Sequence, residues 1–421
     1  MTVQYNEQGA LTMGGVSLQT IAASFGTPAI VYDEEQIRTQ CRRFHKAFQE
    51  SGLPYSISYA SKAFSSIQLF KLMAEENMGL DVVSEGELYT ALASGFDASK
   101  IHFHGNNKTI DEIEYAIERG VEYFVIDSLD EIERINRIAS TPVKATLRVN
   151  PGVEAHTHEF IQTGQEDSKF GLSIKHGTAL EGIKAIQEAK NIEFKGIHFH
   201  IGSQIFEADG TINTVGIVFK WLKENDINIE ILNIGGGFSI QYTNEDKSYP
   251  IEDGIKSITD AIKENSEKYD MPIPEITIEP GRSIVGEAGV TLYQIGTIKE
   301  IPNVNTYVSI DGGMSDHIRT ALYDAKYEAL LVNRQDEETR EVTIAGKLCE
   351  SGDLIGRNMQ LGTSAKVKDY IAVLSTGAYH YSMSSNYNQM LKPAVLFVKD
   401  GKAREVIKRQ SLKQLIMNDV K

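Results

Sequence analysis

Across the middle of this chain, short β-forming runs alternate with helical patterns eight times, and that alternation restricts the fold more than any other feature. Strand-like runs fall near 57–60, 80–83, 101–104, 122–126, 144–149, 195–199, 229–234 and 275–279. Amphipathic helical patterns separate most of them, among them Ser66 to Glu76, Glu85 to Ser94, Ile110 to Arg119 and Asp130 to Ile138. Within the third, Ile113, Ala116 and Ile117 stand at helical spacing. Eight β/α units over about 225 residues suit a (β/α)8 TIM-like barrel, whose usual size is ~250 residues. An open doubly wound sheet fits the alternation alone.

The polar and glycine-rich residues decide between the two. They follow the strands: Lys62 after the first, Ser84-Glu85 after the second, Arg148 to Asn150 at the fifth. His198-Phe199-His200 ends the sixth, Gly235-Gly236-Gly237 follows the seventh, and Glu279-Pro280-Gly281-Arg282 closes the eighth. In a barrel these all converge on the C-terminal face, where active sites sit; an open sheet would spread the outermost ones apart. The barrel is therefore expected over residues 36–285.

Residues 286–421 read as a second, all-β domain, with β-rich runs such as Thr306 to Ile310, Tyr370 to Leu374 and Ala394 to Val398. The early run Ala29 to Tyr32 lies outside the eightfold count, so segment 1–35 is expected to join that β domain. The formal net charge of -16 argues against nucleic acid or anionic lipid as a partner. Two cysteines, Cys41 and Cys349, are too few for a secreted disulfide scaffold and point to the cytoplasm. No signal-peptide pattern is apparent at the N-terminus, and no stretch approaches the roughly 18 apolar residues of a membrane span.

Lys62 ends a strand and is followed by small residues, a placement expected to point its amine into a cavity. Desolvation there would make it a nucleophile toward an aldehyde such as pyridoxal 5'-phosphate, held as a Schiff base; a solvated strand-end lysine is the plainer reading. The glycine triplet can wrap a phosphate, with Gly281-Arg282 as the other half of the cradle, or be a plain tight turn. Glu279 can hold a pyridine nitrogen protonated, or form an ion pair with an arginine such as Arg282. His198 and His200 face one side of a strand, one deeper and one nearer the rim. With His156 or His158 they could ligate zinc, but no Cys or Asp/Glu cluster at a recognisable spacing completes such a site, and no metal is expected. His200 suits stacking on a flat cofactor ring better. Arg319 and Tyr323, at i and i+4 on a helix-like stretch (Ile318 to Glu328), can face one ligand. A lone cysteine such as Cys349 is more often buried filler than catalyst.

Together these strings resemble the fold-type III pyridoxal-phosphate decarboxylases, the alanine racemase-like barrels, from about Leu18 to Val398. The matching strings are Tyr59 to Ala63, Asp81 to Leu88, Thr163-Gly164 with Ser168 to Gly171, and His198 to Gln204. The glycine triplet, Glu279 to Arg282, Asp311 to Met314, Cys349 to Asp353 and Gly377 to Tyr379 continue the match. Among these enzymes the chain is most similar to the branch that converts meso-2,6-diaminopimelate to L-lysine and CO2, the last step of lysine biosynthesis. The resemblance implies Lys62 as the covalent anchor of the cofactor, His200 on its ring and Glu279 on its ring nitrogen. Around the phosphate it implies Gly235 to Gly237, Pro280, Gly281, Arg282, Ser203 and Tyr379. Arg282, Arg319, Tyr323 and Tyr379 would hold a substrate carboxylate, Glu350 the distal amine, and Cys349 would protonate the carbanion. Cys349 and Glu350 would come from the neighbouring subunit, which implies a homodimer.

Three places depart from the pattern: His317, His380, and Gln389 to Lys392, where an arginine-containing stretch is expected. The competing readings are a sister decarboxylase of ornithine, arginine or carboxynorspermidine, alanine racemase, and a non-catalytic cofactor-binding protein. The first would need no arginine for a second carboxylate. The second would need a tyrosine in place of the Cys349 string, and the third is a single barrel without the β-rich residues 300–421.

Overall fold

The computed structural model describes residues 2–152 and 167–420. His156, His158, Thr163 and Gly164 lie outside them. Eight parallel strands close into a barrel: Tyr55–Ala60, Gly79–Val82, Ile101–Phe103, Tyr123–Ile126, Val143–Asn150, Ile192–His198, Ile231–Asn233 and Glu275–Ile278. Closure comes from two pairings, the eighth strand on the first (Ile276 beside Tyr55) and the fourth on the fifth (Tyr123 beside Lys144). All eight strands fall where the sequence expects them. The intervening helices start on side-chain caps: Ser66, Ser84, Thr109 and Ser128 each accept a bond from the backbone N–H three residues on. Thr109 and Glu112 complete a capping box. Each cap fixes the point where chain leaving the C-terminal rim turns back into a helix, and so fixes the rim loops that carry the polar residues.

The compact unit built on the barrel comprises Gln40–Ser239 and Ser248–Gly281. A second unit, Met1–Thr39, Ile240–Lys247 and Arg282–Lys421, is β-rich. Its long strand Gly289–Ile301 pairs antiparallel with Ala29–Asp33, Tyr370–Val373 and Asn305–Ile310. The early strand thus joins the β-rich unit, where it also lies parallel to Ala394–Lys399. One apolar core of this unit gathers Leu11, Leu18, Val31, Leu292 and Leu396, and another gathers Tyr293, Val308, Ile344 and Ile371.

Two features differ from the sequence reading. Residues 3–17 form a small three-stranded antiparallel sheet (Val3–Tyr5, Leu11–Met13, Val16–Ser17), whose strands are too short to show a period. Ile240–Lys247, placed by sequence within 36–285, belongs to the β-rich unit, as does Arg282 to Val285. Non-local bonds hold the former there: Gln241 N–H to Glu287 Oε1 at 2.9 Å, Ser375 Oγ to the Gln241 carbonyl at 2.8 Å, and Asn244 N–H to Glu328 Oε1 at 2.7 Å. Among the described residues no helix is long and apolar enough to cross a membrane.

Candidate active site

Glu279, just past the eighth barrel strand, is buried and ringed by donors. Asn233 Nδ2 donates to Oε1 at 2.6 Å, His104 Nε2 lies 2.9 Å from Oε1, and His198 Nε2 lies 3.2 Å from Oε2. Burial pushes the carboxyl up, but the attraction and hydrogen bonds of His104 and His198 outweigh it and hold Glu279 well below the usual carboxylate range. Burial also keeps His198 below its ordinary value, so it serves as an imidazole N–H donor. Glu279 thus sits within a ring of donors. His104 completes it from the end of the third strand, and His102 places a third possible ligand atom within 4.8 Å of theirs.

The glycine triplet is shaped by close approach. Gly235 and Gly237 have φ of 71° and 104°, and a Cβ on Gly236 would collide with the Glu279 carbonyl oxygen. Gly236 N–H donates to His200 Nδ1 at 3.3 Å, which ties the loop to the sixth strand's end. His198 is buried and His200 only partly so, the depth order their spacing predicts. Burial and the nearby Lys62 charge hold His200 well below its ordinary value, leaving a neutral ring. A Cβ on Gly281 would press Ala60 and Ala63 at 3.0–3.2 Å, so this turn too needs glycine.

Lys62 sits in a 3-10 turn, Ser61–Ala63, and is exposed, not desolvated in a cavity as expected. The turn is tied to the neighbouring rim loop: Ser61 Oγ bonds Glu87 Oε2 at 2.7 Å, and that same oxygen accepts from Val83 N–H at 2.8 Å. Burial drives Asp81 up to about 6, against the opposing pull of His104 and Lys62. Burial raises Glu87 as well. Lys62 is therefore flanked by two carboxyl groups to which the sequence reading gave no role. Lys169 is exposed with its Nζ 4.9 Å from the Phe170 ring centroid.

In the β-rich unit, Arg282 and Arg319 are both nearly buried among tyrosines. The Arg282 guanidinium carbon lies 4.8 Å from the Tyr379 ring centre and 5.6 Å from that of Tyr242, whose hydroxyl accepts from Arg282 Nη1. Arg319 lies 5.2 Å from the Tyr323 ring and 5.4 Å from that of Tyr379. The helix between Arg319 and Tyr323 ends at Tyr323, shorter than the stretch to Glu328. Among the described residues no carboxylate pairs with Arg319, which leaves a low-dielectric cation equipped for an anionic ligand.

Cys349 and Glu350 are exposed, so the buried-filler reading of Cys349 fails. Their loop is fixed from below by Asp353, buried at 3% exposure, which accepts from Leu348 N–H at 2.7 Å and from Met314 N–H. A Cβ on Gly313 or Gly346 would collide with that carboxylate. Cys349 N–H donates to Asn388 Oδ1 at 2.9 Å. Ser203 is half-buried on the loop after the sixth strand.

This donor set fits pyridoxal phosphate: an ionised buried carboxylate for a ring nitrogen, a neutral imidazole, a tight glycine turn and an accessible lysine. Residues 34–286 match the family described as pyridoxal-dependent decarboxylase, pyridoxal binding domain. The chain belongs to that family. Within it, the chain is 68% identical over 421 residues to the diaminopimelate decarboxylase of Staphylococcus aureus (strain COL), covering 100% of both. It is 45% identical to the diaminopimelate decarboxylase of Bacillus subtilis (strain 168), covering 100% of this chain and 97% of the relative. The crystal structure of diaminopimelate decarboxylase from M. jannaschii in complex with L-lysine superposes with a TM-score of 0.93 at 35% identity, over 100% of this chain and 98% of that one.

Proposed function

We propose that this chain removes CO2 from meso-2,6-diaminopimelate to give L-lysine, with pyridoxal phosphate as cofactor, in the last step of lysine biosynthesis. Lys62 would hold the cofactor covalently, His200 would stack on its ring, and Glu279 would keep its ring nitrogen protonated. Gly235 to Gly237, Pro280, Gly281, Arg282, Ser203 and Tyr379 would surround its phosphate. Bound there, pyridoxal phosphate supplies an electron sink for the pair left by the departing carboxylate. Cys349 delivers the proton that replaces CO2 at Cα. Arg282, Arg319, Tyr323 and Tyr379 take the second carboxylate, and Glu350 takes the second amine; both groups remain on the lysine product.

The single observation that carries the reading is Glu279, a buried carboxylate kept ionised by His104, His198 and Asn233 at the end of a barrel strand. A carboxylate so held can stabilise a positive ring nitrogen without taking its proton. The exposure of Cys349 and Glu350 supports their serving a site shared with a second copy, hence a homodimer. Both cysteines are free, as suits a reducing cytoplasm.

Amino-acid analysis of reaction mixtures tests the proposal. Lysine should appear from meso-diaminopimelate only after the apoprotein is reconstituted with pyridoxal phosphate; reconstituted protein that makes none would overturn it. Mixing inactive Lys62→Ala and Cys349→Ala proteins tests the shared site. Random exchange of subunits in a C2 dimer should restore about a quarter of normal turnover, whereas no recovery would refute sharing.

A further inference from the structure

The fork of Arg319 is held from one side. Its Nε donates to the Tyr327 hydroxyl at 2.8 Å, and that phenol, 5% exposed, lies in the segment between the helix Arg319–Tyr323 and the strand Ala329–Leu331. Burial pushes the Tyr327 phenol up, so it stays an uncharged hydroxyl able to accept. Behind it stand two fully buried histidines. His317 meets the Tyr327 ring edge-on at 4.5 Å and 72°, His380 meets it at 5.3 Å and 84°, and the two imidazoles lie 4.6 Å apart. These histidines are two of the three places at which the chain departs from the family pattern.

Packing alone does not account for two histidines here. Among the described residues neither ring nitrogen of His317 has a hydrogen-bond partner, and His380 uses only Nδ1, on the Ala378 carbonyl at 3.0 Å. Leaving a buried nitrogen unsatisfied is costly, and such costs concentrate where function requires a particular arrangement. Burial and the Arg319 charge drive His317 down to about 3, so it packs on Tyr327 as a neutral ring. The two imidazoles hold the Tyr327 ring in one orientation, and its hydroxyl then fixes the guanidinium plane. With Nε occupied, Arg319 offers its terminal pair of Nη groups, an edge that can grip a carboxylate through two parallel bonds.

We propose that Tyr327, wedged between His317 and His380, is a positioning residue that presents the terminal Nη edge of Arg319 to the substrate's second carboxylate. This rests on the reading that Arg319 binds that carboxylate. Tyr327→Phe removes one oxygen and leaves the ring packing in place. In the holoenzyme it should raise KM for meso-diaminopimelate about ten-fold, the loss of one charge-assisted hydrogen bond, with kcat changed less than about three-fold and the bound-cofactor absorbance intact. Lysine, which keeps the second carboxylate, should bind more weakly by the same factor, whereas 1,5-diaminopentane, which lacks it, should bind as before. Arg319→Gln should raise KM further, and adding Tyr327→Phe to it should change nothing more.

An unchanged KM in Tyr327→Phe, beside a raised KM in Arg319→Gln, would overturn the positioning role and leave the carboxylate reading standing. Additive effects in the double variant, or equal weakening of lysine and 1,5-diaminopentane, would also overturn it. An unchanged KM in Arg319→Gln would instead refute the carboxylate reading itself.

Discussion

Replacing Asp81 by asparagine should stabilise the apoprotein, and by an amount that depends on pH. The carboxyl is buried and its pKa stands at about 6 against an ordinary 3.8, because lost hydration outweighs the attraction of His104 and Lys62. A raised carboxyl favours the fold fully below its unfolded value, and that advantage is lost as pH rises through the folded value. Two pKa units at 1.36 kcal/mol each make the ionised Asp81 a burden of about 3 kcal/mol above pH 7, falling to about 1 kcal/mol at pH 4.5. Asparagine mimics the protonated acid, and Asp81 Oδ1 has no hydrogen-bond partner to lose, with His104 Nε2 at 3.7 Å. Urea denaturation of wild type and Asp81→Asn at pH 7.5 and 4.5 reads the difference directly. Equal effects at the two pH values, or a destabilised variant at pH 7.5, would refute the argument from burial. The native protein would retain such a costly charge for its field beside Lys62, and Asp81→Asn should therefore lose turnover while it gains stability.

Lys62→Ala should fold with an unchanged far-UV spectrum but show no absorbance from covalently held cofactor; persistence of that band would shift the anchor to another lysine, Lys169 first. Cys349→Ala should keep that band and lose turnover about a hundred-fold or more, the usual share of a general acid, and near-normal turnover would remove it from the proton-donor role. Gly236→Ala forces a methyl against the Glu279 carbonyl. Overpacking of this kind costs about 1–3 kcal/mol, so the variant should melt lower and bind pyridoxal phosphate weakly; normal melting and binding would show that the loop yields.

The barrel was legible because each of its strands is a short apolar run ending in polar or glycine residues, with a capped helix after it. Ser84 before Glu85 and Thr109 before Ile110 mark those turns in the sequence as clearly as in the structure. Lys62, His200 and Glu279 were visible for the same reason, since each stands at a strand's end. What stayed hidden depends on contacts distant in sequence. His104 reaches Glu279 across the barrel, although its place after the third strand, matching that of His200 after the sixth, was an available signal. Asp81 and Glu87 stand inside the string Asp81 to Leu88, yet nothing local shows that they flank Lys62. Tyr327 lies in an irregular segment whose neighbours His317 and His380 are supplied by other parts of the β-rich unit. The exposure of Lys62 was hidden too, since nothing in its local string separates an exposed strand-end lysine from a desolvated one.

Substrate choice bears most directly on the account, since the proposed role of Arg319 needs a second carboxylate at the substrate's far end. CO2 release should be measured from cofactor-loaded protein given meso-diaminopimelate, ornithine, arginine or carboxynorspermidine separately. The account predicts release from meso-diaminopimelate alone, with lysine formed in equal amount. Comparable release from ornithine or arginine, which carry no second carboxylate, would contradict it.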